Sequence, residues 1–356
     1  MGCVFVVMIA LADYHIGLSS ESVWMSVESS GGVPAAEDAS MVILNTLPSL
    51  GVDCHLENMS ADERRAEFEQ LADMGATWVR AGAPWYALQP TAGRFDPNQF
   101  REVRQIVTDA SAVGMRVLLV GDQAPDWAGG GDRTASQPEA YGVFMGELAR
   151  QLRKLGPGGS SPAYEVMNEP NGLINKGGRT WANPTEYALS ACATYRAIHT
   201  ADPSATVVVG SLDVTDWRNW LRSSMRAGLA QCFDVLSAHP YSGMAVLDEI
   251  RDLASQEGRP GITVWVTEFG ESTCGNQSLG CVSEDEQATI LVDSLLELAS
   301  LYPWVPVAVI YESRDEPYVG GGPAERSFGL FLAASGNTDP VPKPAVTAIR
   351  ELYKGI

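Results

Sequence analysis

The feature that most constrains this chain is a regular alternation of short apolar segments with helix signals, repeated eight times from about residue 49. The apolar segments are rich in branched aliphatic residues, as expected for strands that are buried on both faces. Strands that alternate with helices predict a parallel sheet with helical crossovers. Eight such units favour a single closed (β/α)8 barrel, a fold that often needs a chain of this length.

Capping signals mark where the helices begin. Capping boxes at residues 60–63 (Ser-Ala-Asp-Glu) and 283–286 (Ser-Glu-Asp-Glu) each predict a helix start. Prolines at the first helical turn do the same at Asp96-Pro97 and Asn183-Pro184. The second and fifth strands are predicted at 76–80 and 206–209. An open doubly wound sheet is the alternative fold, but no Gly-x-Gly-x-x-Gly turn follows the first strand.

The first 48 residues differ in composition from the rest. Residues 3–12 are ten apolar residues, which is too short to span a bilayer. They have the length of a signal-peptide core but lack the preceding basic residues, so a leader and a poorly ordered extension are both open. Residues 19–48 are rich in Ser, Gly, Ala and Glu and indicate a linker or surface arm. We therefore expect residues 1–48 to be a leader or extension and 49–356 to be the barrel domain.

Charge narrows the classes of partner. The 356 residues carry a formal net charge of −20, and no Lys or Arg precedes Arg64. Nucleic-acid binding needs clustered basic residues, so we expect no nucleic-acid partner. We also expect no membrane span, because no apolar run is long enough.

The six cysteines bear on the cellular compartment. Cys274 and Cys281 bracket a short polar loop and could close as a disulfide, which would favour a secreted or cell-surface protein. Two free thiols in a cytoplasmic protein are the alternative. Cys54, Cys192 and Cys232 lie in apolar surroundings and are interpreted as small core residues. No cysteine or histidine has zinc-ligand spacing.

Two segments about one hundred residues apart carry the chemistry. Residues 164–171 (Tyr-Glu-Val-Met-Asn-Glu-Pro-Asn) and 264–270 (Val-Trp-Val-Thr-Glu-Phe-Gly) each place a glutamate, Glu169 or Glu268, at the end of an apolar run. A buried carboxylate is costly unless it is paired, so both are expected at the rim of a pocket. Active sites of α/β barrels lie at the carboxyl ends of the strands. Two facing carboxylates are the groups that glycoside hydrolysis requires.

Further polar and aromatic residues follow other predicted strands. Arg80 follows strand two, Trp127 strand three, Asn168 strand four, and His239 and Tyr241 strand six. Core packing alone does not explain this clustering at one end of the barrel.

These segments resemble the clan A glycoside hydrolases, and within the clan they look most like family 39. That family includes β-xylosidases, α-L-iduronidases and some bacterial polysaccharide hydrolases. The resemblance covers roughly residues 50–354 and is carried by the segments at 75–80, 86–90, 164–171, 237–241 and 267–270. It implies a (β/α)8 barrel with catalytic glutamates after strands four and seven.

The resemblance also implies roles. Glu169 would be the general acid/base and Glu268 the nucleophile, about 5 Å apart as in retaining enzymes. Arg80 would supply positive charge to the nucleophile, Tyr241 a hydrogen bond, and Asn168 a contact to the sugar 2-hydroxyl.

The roles of other residues are left open. His239 could be a hydrogen-bonded core histidine or part of the site. Trp85 and Trp127 could be core aromatics, although a flat sugar-binding face is favoured for both. His55 and Tyr311 are included as supporting residues. Tyr311 stands where the resembling family commonly has a tryptophan that forms the floor of the sugar subsite.

Three carboxylates complete the set. Glu165 lies inside strand four and is interpreted as a buried, paired group, whereas Glu271 and Glu312 are rim carboxylates without an assigned role.

The sequence thus predicts a retaining glycoside hydrolase that acts on an oligo- or polysaccharide, with no cofactor and no catalytic metal. A transglycosylase that uses the same site and a non-catalytic carbohydrate-binding barrel are the alternatives. A metal-dependent hydrolase is disfavoured, because the four histidines have no ligand spacing.

Overall fold

The computed structural model describes residues 47–56, 59–130, 137–174, 179–180, 182–213, 217–315, 322–333 and 340–355. The predictions for residues 1–46 lie outside these ranges. Within them, no helix is both long and apolar enough to cross a membrane.

The described chain forms a closed barrel of parallel strands with helices outside, which confirms the predicted fold class. Each strand pairs with its neighbours in chain order, and the eighth pairs with the first to close the barrel. The barrel strands are β1 (Ser49–Asp53), β2 (Trp78–Pro84), β3 (Arg116–Asp122), β4 (Ala163–Val166), β5 (Thr206–Asp213), β6 (Val235–His239), β7 (Thr263–Phe269) and β8 (Val307–Ile310). The helices that follow them are α1 (Ala61–Met74), α2 (Pro97–Ala112), α3 (Pro138–Leu152), α4 (Pro184–Ala201), α5 (Trp217–Arg226), α6 (Val246–Gln256), α7 (Glu284–Leu301) and α8 (Pro344–Lys354).

Short elements decorate the loops. A one-turn helix, Trp85–Leu88, follows β2 directly, and a two-stranded antiparallel pair joins Leu173–Ile174 to Arg179–Thr180 after β4. Single 3₁₀ turns occur at Asp126–Ala128, Pro157–Gly159, Leu229–Gln231 and Gln277–Leu279.

The predicted helix starts are confirmed. Ser60 and Ser283 both form complete capping boxes, and the Asp96 side chain accepts from the backbone N–H groups of Asn98 and Gln99. Gly75 ends α1 with φ 111°, in the left-handed region that favours glycine.

The strands predicted at 76–80 and 206–209 extend further than the sequence predicted. β2 continues to Pro84 and β5 to Asp213, through small residues that have little strand propensity. In β5 the pairing with β6 shifts register between Val209 and Leu212, and Gly210 has φ 106°. A bulge of this kind re-aims side chains near an active site. The extra residues lie at the carboxyl ends of the strands, where the cavity is.

The barrel interior is apolar at one end. Trp78 and Trp265 pack edge to face with ring centroids 5.1 Å apart, and small and branched residues surround them. The companions are Leu118, Ala163, Val208, Val235, Val307 and Val309. This plug fills the lumen near the amino ends of the strands, so only the carboxyl ends remain available for a site.

Of the five cysteines among the described residues, four form disulfides. The predicted Cys274–Cys281 bond is present, and Cys54 is a buried free thiol. Cys192 and Cys232 were interpreted only as small core residues, and the sequence did not predict that they are bonded to each other, with Cα atoms 4.8 Å apart. The pairing joins α4 to the segment before β6, a tertiary contact that local apolar surroundings do not reveal.

Helices α3 and α4 pack closely through small residues. A Cβ added at Gly142 would lie 2.9 Å from the Ala193 Cβ and 3.0 Å from its carbonyl carbon. Gly146 faces Ala197 at a similar distance. Glycine costs a helix about 1 kcal/mol relative to alanine, so close approach outweighs helix propensity here.

We expect Gly142→Ala to lower the free energy of unfolding by about 1–3 kcal/mol, because overpacking outweighs the gain in propensity. Chemical denaturation would measure the change. Gly322→Ala is the matched control, since a Cβ added at Gly322 would meet no atom within 4 Å. Equal stability of the two variants would contradict a packing role for Gly142.

Candidate functional site

A cavity of about 520 Å³ opens at the carboxyl ends of the barrel strands. Its wall is built from strand ends and from the loops that follow β1, β3, β4, β6 and β8. The lining residues are Asp53, His55, Arg80, Ala81, Gly82, Pro84, Val120, Asp122, Gln123, Asn168, Glu169, Tyr241, Glu268, Tyr311, Glu325 and Phe328.

Arg80 organises the floor of this cavity. Its Nε donates to Glu165 Oε2 at 2.7 Å, and its Nη1 donates to Asp53 and to Glu268 Oε1, the latter at 2.6 Å. Its Nη2 donates to Asn168 Oδ1 at 2.6 Å. Burial would lower the pKa of Arg80, but the three carboxylates outweigh it and the pKa is raised, so the group stays charged.

Glu165 is the buried, paired group that the sequence predicted. Besides Arg80, the hydroxyls of Ser211 and Ser237 donate to its Oε1 at 2.8 and 2.9 Å. Burial alone would raise the pKa of Glu165. The charges of Arg80 and His239 and the hydrogen bonds lower the pKa by more than burial raises it, so the pKa of Glu165 lies below its ordinary value. The carboxylate therefore remains ionised inside the barrel.

Glu169 and Glu268 face each other across the cavity. Glu268 is the penultimate residue of β7, whereas Glu169 follows β4 in a segment where Met167 and Glu169 have φ of 63° and 41°. Such left-handed conformations are unfavourable for non-glycine residues and mark functional segments. One carboxylate oxygen of each glutamate lies within 4.8 Å of the other. The Tyr241 hydroxyl donates to Glu268 Oε2 at 3.0 Å, as predicted.

His239 touches both glutamates while being fully buried. Its Nδ1 lies 2.9 Å from Glu169 Oε1 and 3.5 Å from Glu268 Oε2. Its Nε2 lies 3.3 Å from Ser211 Oγ and 3.2 Å from Thr267 Oγ1. Burial would lower the pKa of His239, but the charges of Glu268 and Glu169 and the hydrogen bond to Glu169 raise it. It is thus both a hydrogen-bonded core histidine and a neighbour of the glutamate pair.

Among the described residues, Glu169, His239 and Glu268 are the group whose spacing could hold a metal ion. The three side chains already contact one another or Arg80.

Part of the cavity lining is aromatic and acidic. The Tyr311 ring packs edge-on against Phe328 and His55, with centroids 5.5 and 6.0 Å away. The Tyr311 hydroxyl donates to Glu325 Oε1 at 3.4 Å. The buried Glu312 carboxylate lies 3.2 Å from His55 Nδ1. Tyr311 and His55, both predicted as supporting residues, therefore line the cavity.

The position of Trp85 differs from the prediction that its ring binds a sugar. Its ring is fully buried and packs against Trp127, Tyr141 and Phe144, and its indole N–H donates to Gln89 Oε1 at 2.7 Å. A ring enclosed in this way cannot present a face to a sugar, so the predicted sugar contact was wrong for Trp85.

Trp127 is half-buried against Trp85 and donates to the Gln89 carbonyl at 2.9 Å. It does not line the main cavity, and its sugar-binding role stays a prediction. Glu271 lies apart from the glutamate pair, on a smaller cavity of about 130 Å³ beside α7.

Sequence reasoning missed several lining residues. Asp53 ends an apolar strand in the same way as Glu268 does, so the same signal would have found it. Gln123, Glu325 and Phe328 lie in loops without periodicity, where no such signal exists.

The closed barrel, with acidic groups gathered at the carboxyl ends of its strands, has the architecture of the clan A glycoside hydrolases. The chain belongs to glycosyl hydrolase family 5 of that clan: the family model described as Cellulase (glycosyl hydrolase family 5) matches residues 45–301. The closer likeness to family 39 is not confirmed.

Solved structures agree on the fold. A family 39 glycoside hydrolase from Bacteroides cellulosilyticus WH2 is 19% identical, with a TM-score of 0.63 over 87% of this chain and 64% of that one. A GH5_18 protein from Bifidobacterium longum subsp. infantis is 16% identical, with a TM-score of 0.67 over 87% of this chain and 79% of that one. A GH5_18 variant from Streptomyces cattleya in complex with Manβ1-4GlcNAc is 18% identical, with a TM-score of 0.67 over 86% of this chain and 80% of that one. No curated protein sequence matches the chain.

We expect Arg80→Met to destabilise the protein by about 3–5 kcal/mol at pH 7, because it leaves buried carboxylates unpaired. In the parent, Glu165 has a lowered pKa, so its contribution is present at neutral pH and is lost as the pH falls through that value. Without Arg80, burial would raise the pKa of Glu165 above its unfolded-state value.

The penalty in Arg80→Met should therefore shrink as the pH falls from 7 to about 5, towards the ordinary glutamate range. Urea denaturation at several pH values would test this. The exposed Arg65 pairs with Asp62 on the surface, and Arg65→Met is the control, expected to change stability by less than about 1 kcal/mol. A penalty for Arg80→Met that does not vary with pH would contradict the charge-pairing account.

Proposed function

We propose that the protein is a retaining glycoside hydrolase in which Glu268 is the nucleophile and Glu169 the general acid/base. The observation that carries the proposal is the carboxylate pair, in which one oxygen of Glu169 and one oxygen of Glu268 lie within 4.8 Å of each other. Retaining enzymes hold their two carboxyl groups about 5–5.5 Å apart, whereas inverting enzymes need a wider gap for water.

The surroundings of the two carboxylates support this division of roles. Glu268 is buried and receives hydrogen bonds from Arg80 and Tyr241, an environment that stabilises an anion aimed at an anomeric carbon. Glu169 is more exposed than Glu268 and lies against the cavity, where a departing sugar oxygen can reach it. His239 holds Glu169 by a hydrogen bond without occupying the cavity wall.

The proposed reaction has two displacements. Glu268 attacks the anomeric carbon while Glu169 gives its proton to the leaving oxygen, so one C–O bond forms and another breaks. Glu169 then takes a proton from water, which displaces Glu268 and restores both carboxyl groups. Asn168 accepts from Arg80 through Oδ1, which orients its amide N–H groups as donors for a sugar hydroxyl.

We propose an oligo- or polysaccharide as the substrate. Two similar structures support a β-linked sugar: the Streptomyces cattleya protein is in complex with Manβ1-4GlcNAc, and an Opitutaceae bacterium strain TAV5 protein is an exo-β-1,4-mannosidase. At 18% and 15% identity, these two proteins share the fold with this chain.

Trapping the glycosyl-enzyme tests the mechanism directly. We expect a panel of 2-fluoro glycosyl fluorides to give a mass increase that maps to the peptide containing Glu268. Glu268→Gln should abolish the increase, whereas Glu271→Gln should retain it, because Glu271 lies outside the main cavity. A folded parent that turns over no glycoside and gives no adduct would support a carbohydrate-binding barrel instead.

The acid role of Glu169 can be tested by comparing substrates whose leaving groups differ in their need for a proton. We expect Glu169→Ala to lower kcat/KM by about 10²–10⁴-fold for a poor leaving group, and far less for an activated phenol that departs without a proton. Added azide should restore turnover with the activated substrate and give a glycosyl azide of retained configuration. An equal loss for both leaving groups would argue against Glu169 as the acid.

We further propose that the protein is exported. The bonds Cys192–Cys232 and Cys274–Cys281 support this, since structural disulfides persist in oxidising compartments. Fractionation of the source cells would test it: recovery of the protein with four free thiols from the cytoplasm would contradict export.

A further inference from the structure

The described lining of the main cavity is strongly acidic. Asp53, Asp122, Glu169, Glu268 and Glu325 contribute five carboxyl groups. Arg80 is the guanidinium among these lining residues, and His55 is the imidazole. A sugar that enters the cavity therefore meets mainly hydrogen-bond acceptors.

The positive charge of Arg80 is already paired with carboxylates of the protein. Four hydrogen bonds go from its guanidinium to Asp53, Glu165, Glu268 and Asn168. Three carboxylates share this one cation, and four of its five N–H donors are engaged. Arg80 thus cannot offer the bidentate grip by which arginine recognises a carboxylate or sulfate group on a ligand.

Glu325 stands apart from that network. It lies at the exposed rim on the loop after β8, and its described hydrogen-bond partner is the Tyr311 hydroxyl at 3.4 Å. Glu325 lines the same cavity as Glu169 and Glu268. Partial burial raises the pKa of Glu325, and the charges of Glu268 and Glu169 act in the same direction.

The backbone on both sides of Glu325 is anchored. The Ala324 carbonyl accepts from Ser272 Oγ at 2.6 Å, and the Ser327 carbonyl accepts from the Thr273 backbone N–H at 2.9 Å. The buried Lys343 bonds Asp315 and Thr273 at 2.7 and 2.8 Å and so ties the same loops together. A group held by fixed neighbours is suited to recognition.

We propose that Glu325 determines specificity by charge: it accepts a hydrogen bond from a sugar hydroxyl and excludes sugars that carry a carboxylate or sulfate at this wall. The inference rests on the proposed hydrolase function. The substrate class is then an uncharged oligo- or polysaccharide rather than a uronic-acid polymer, because like charges in a partly desolvated site repel.

The test compares matched substrates. The aryl glycoside of whichever neutral hexose labels Glu268 is assayed beside the same glycoside oxidised to the carboxylate at C6. We expect the parent to favour the neutral substrate at least about 100-fold in kcat/KM. In Glu325→Gln this ratio should fall about tenfold, mainly through a lower KM for the charged substrate, and Glu325→Lys should lower it further.

Glu284 is the charge-matched control, an exposed glutamate at the start of α7 outside the cavity. Glu284→Gln should leave the ratio at the parent value. Raising the salt concentration should lower the ratio in the parent and change it less in Glu325→Gln, because salt screens exposed charges.

An unchanged ratio in folded Glu325→Gln and Glu325→Lys would overturn the proposal. So would a parent that processes the charged and the neutral substrate equally well. Failure of the hydrolase function itself would look different, since no glycoside of either kind would be turned over and no adduct would form on Glu268.

Discussion

The Arg80 guanidinium is the interaction on which the rest of the site depends. It bonds carboxylates from β1, β4 and β7, so one side chain on β2 joins strands from both halves of the barrel. Three buried carboxylates would otherwise repel one another and neutralise. Because each of them is held by the same cation, the position of Glu268 is set by the closure of the barrel as well as by the local backbone. Stability and the geometry of the glutamate pair therefore have a common origin.

The two ends of the lumen divide the physical tasks. The plug around Trp78 and Trp265 fills one end with buried apolar side chains. The other end carries the features that a core avoids, namely buried charge and left-handed backbone at Met167 and Glu169. Each of these features is unfavourable by itself, and the packed end together with the outer helices supplies the rigidity that maintains them.

The sequence was informative wherever a local pattern reports directly on burial. Alternating apolar segments predicted the barrel. Charged residues at strand ends predicted that Glu169 and Glu268 lie at the pocket and that Arg80 is close to Glu268. The bulge at Gly210 was not foreseen, because it interrupts strand propensity. The Cys192–Cys232 bond joins residues 40 positions apart, and only the tertiary fold brings them together. Trp85 shows a further limit, since an aromatic residue at a strand end looks the same in sequence whether it faces the cavity or the core.

The loop that bears Glu325 is anchored by the loop that follows β7. Ser272 and Thr273, which follow β7, hold the carbonyl groups of Ala324 and Ser327, which follow β8. The Cys274–Cys281 bond closes the first of these loops immediately afterwards. The wall that the β8 loop contributes to the cavity is therefore held in place by the β7 loop, which does not itself line the cavity. The two loops therefore have to change together, whether in evolution or in protein engineering. If the β8 loop were moved into another barrel without the β7 loop, its residues would be transferred but the hydrogen bonds that arrange them would be lost.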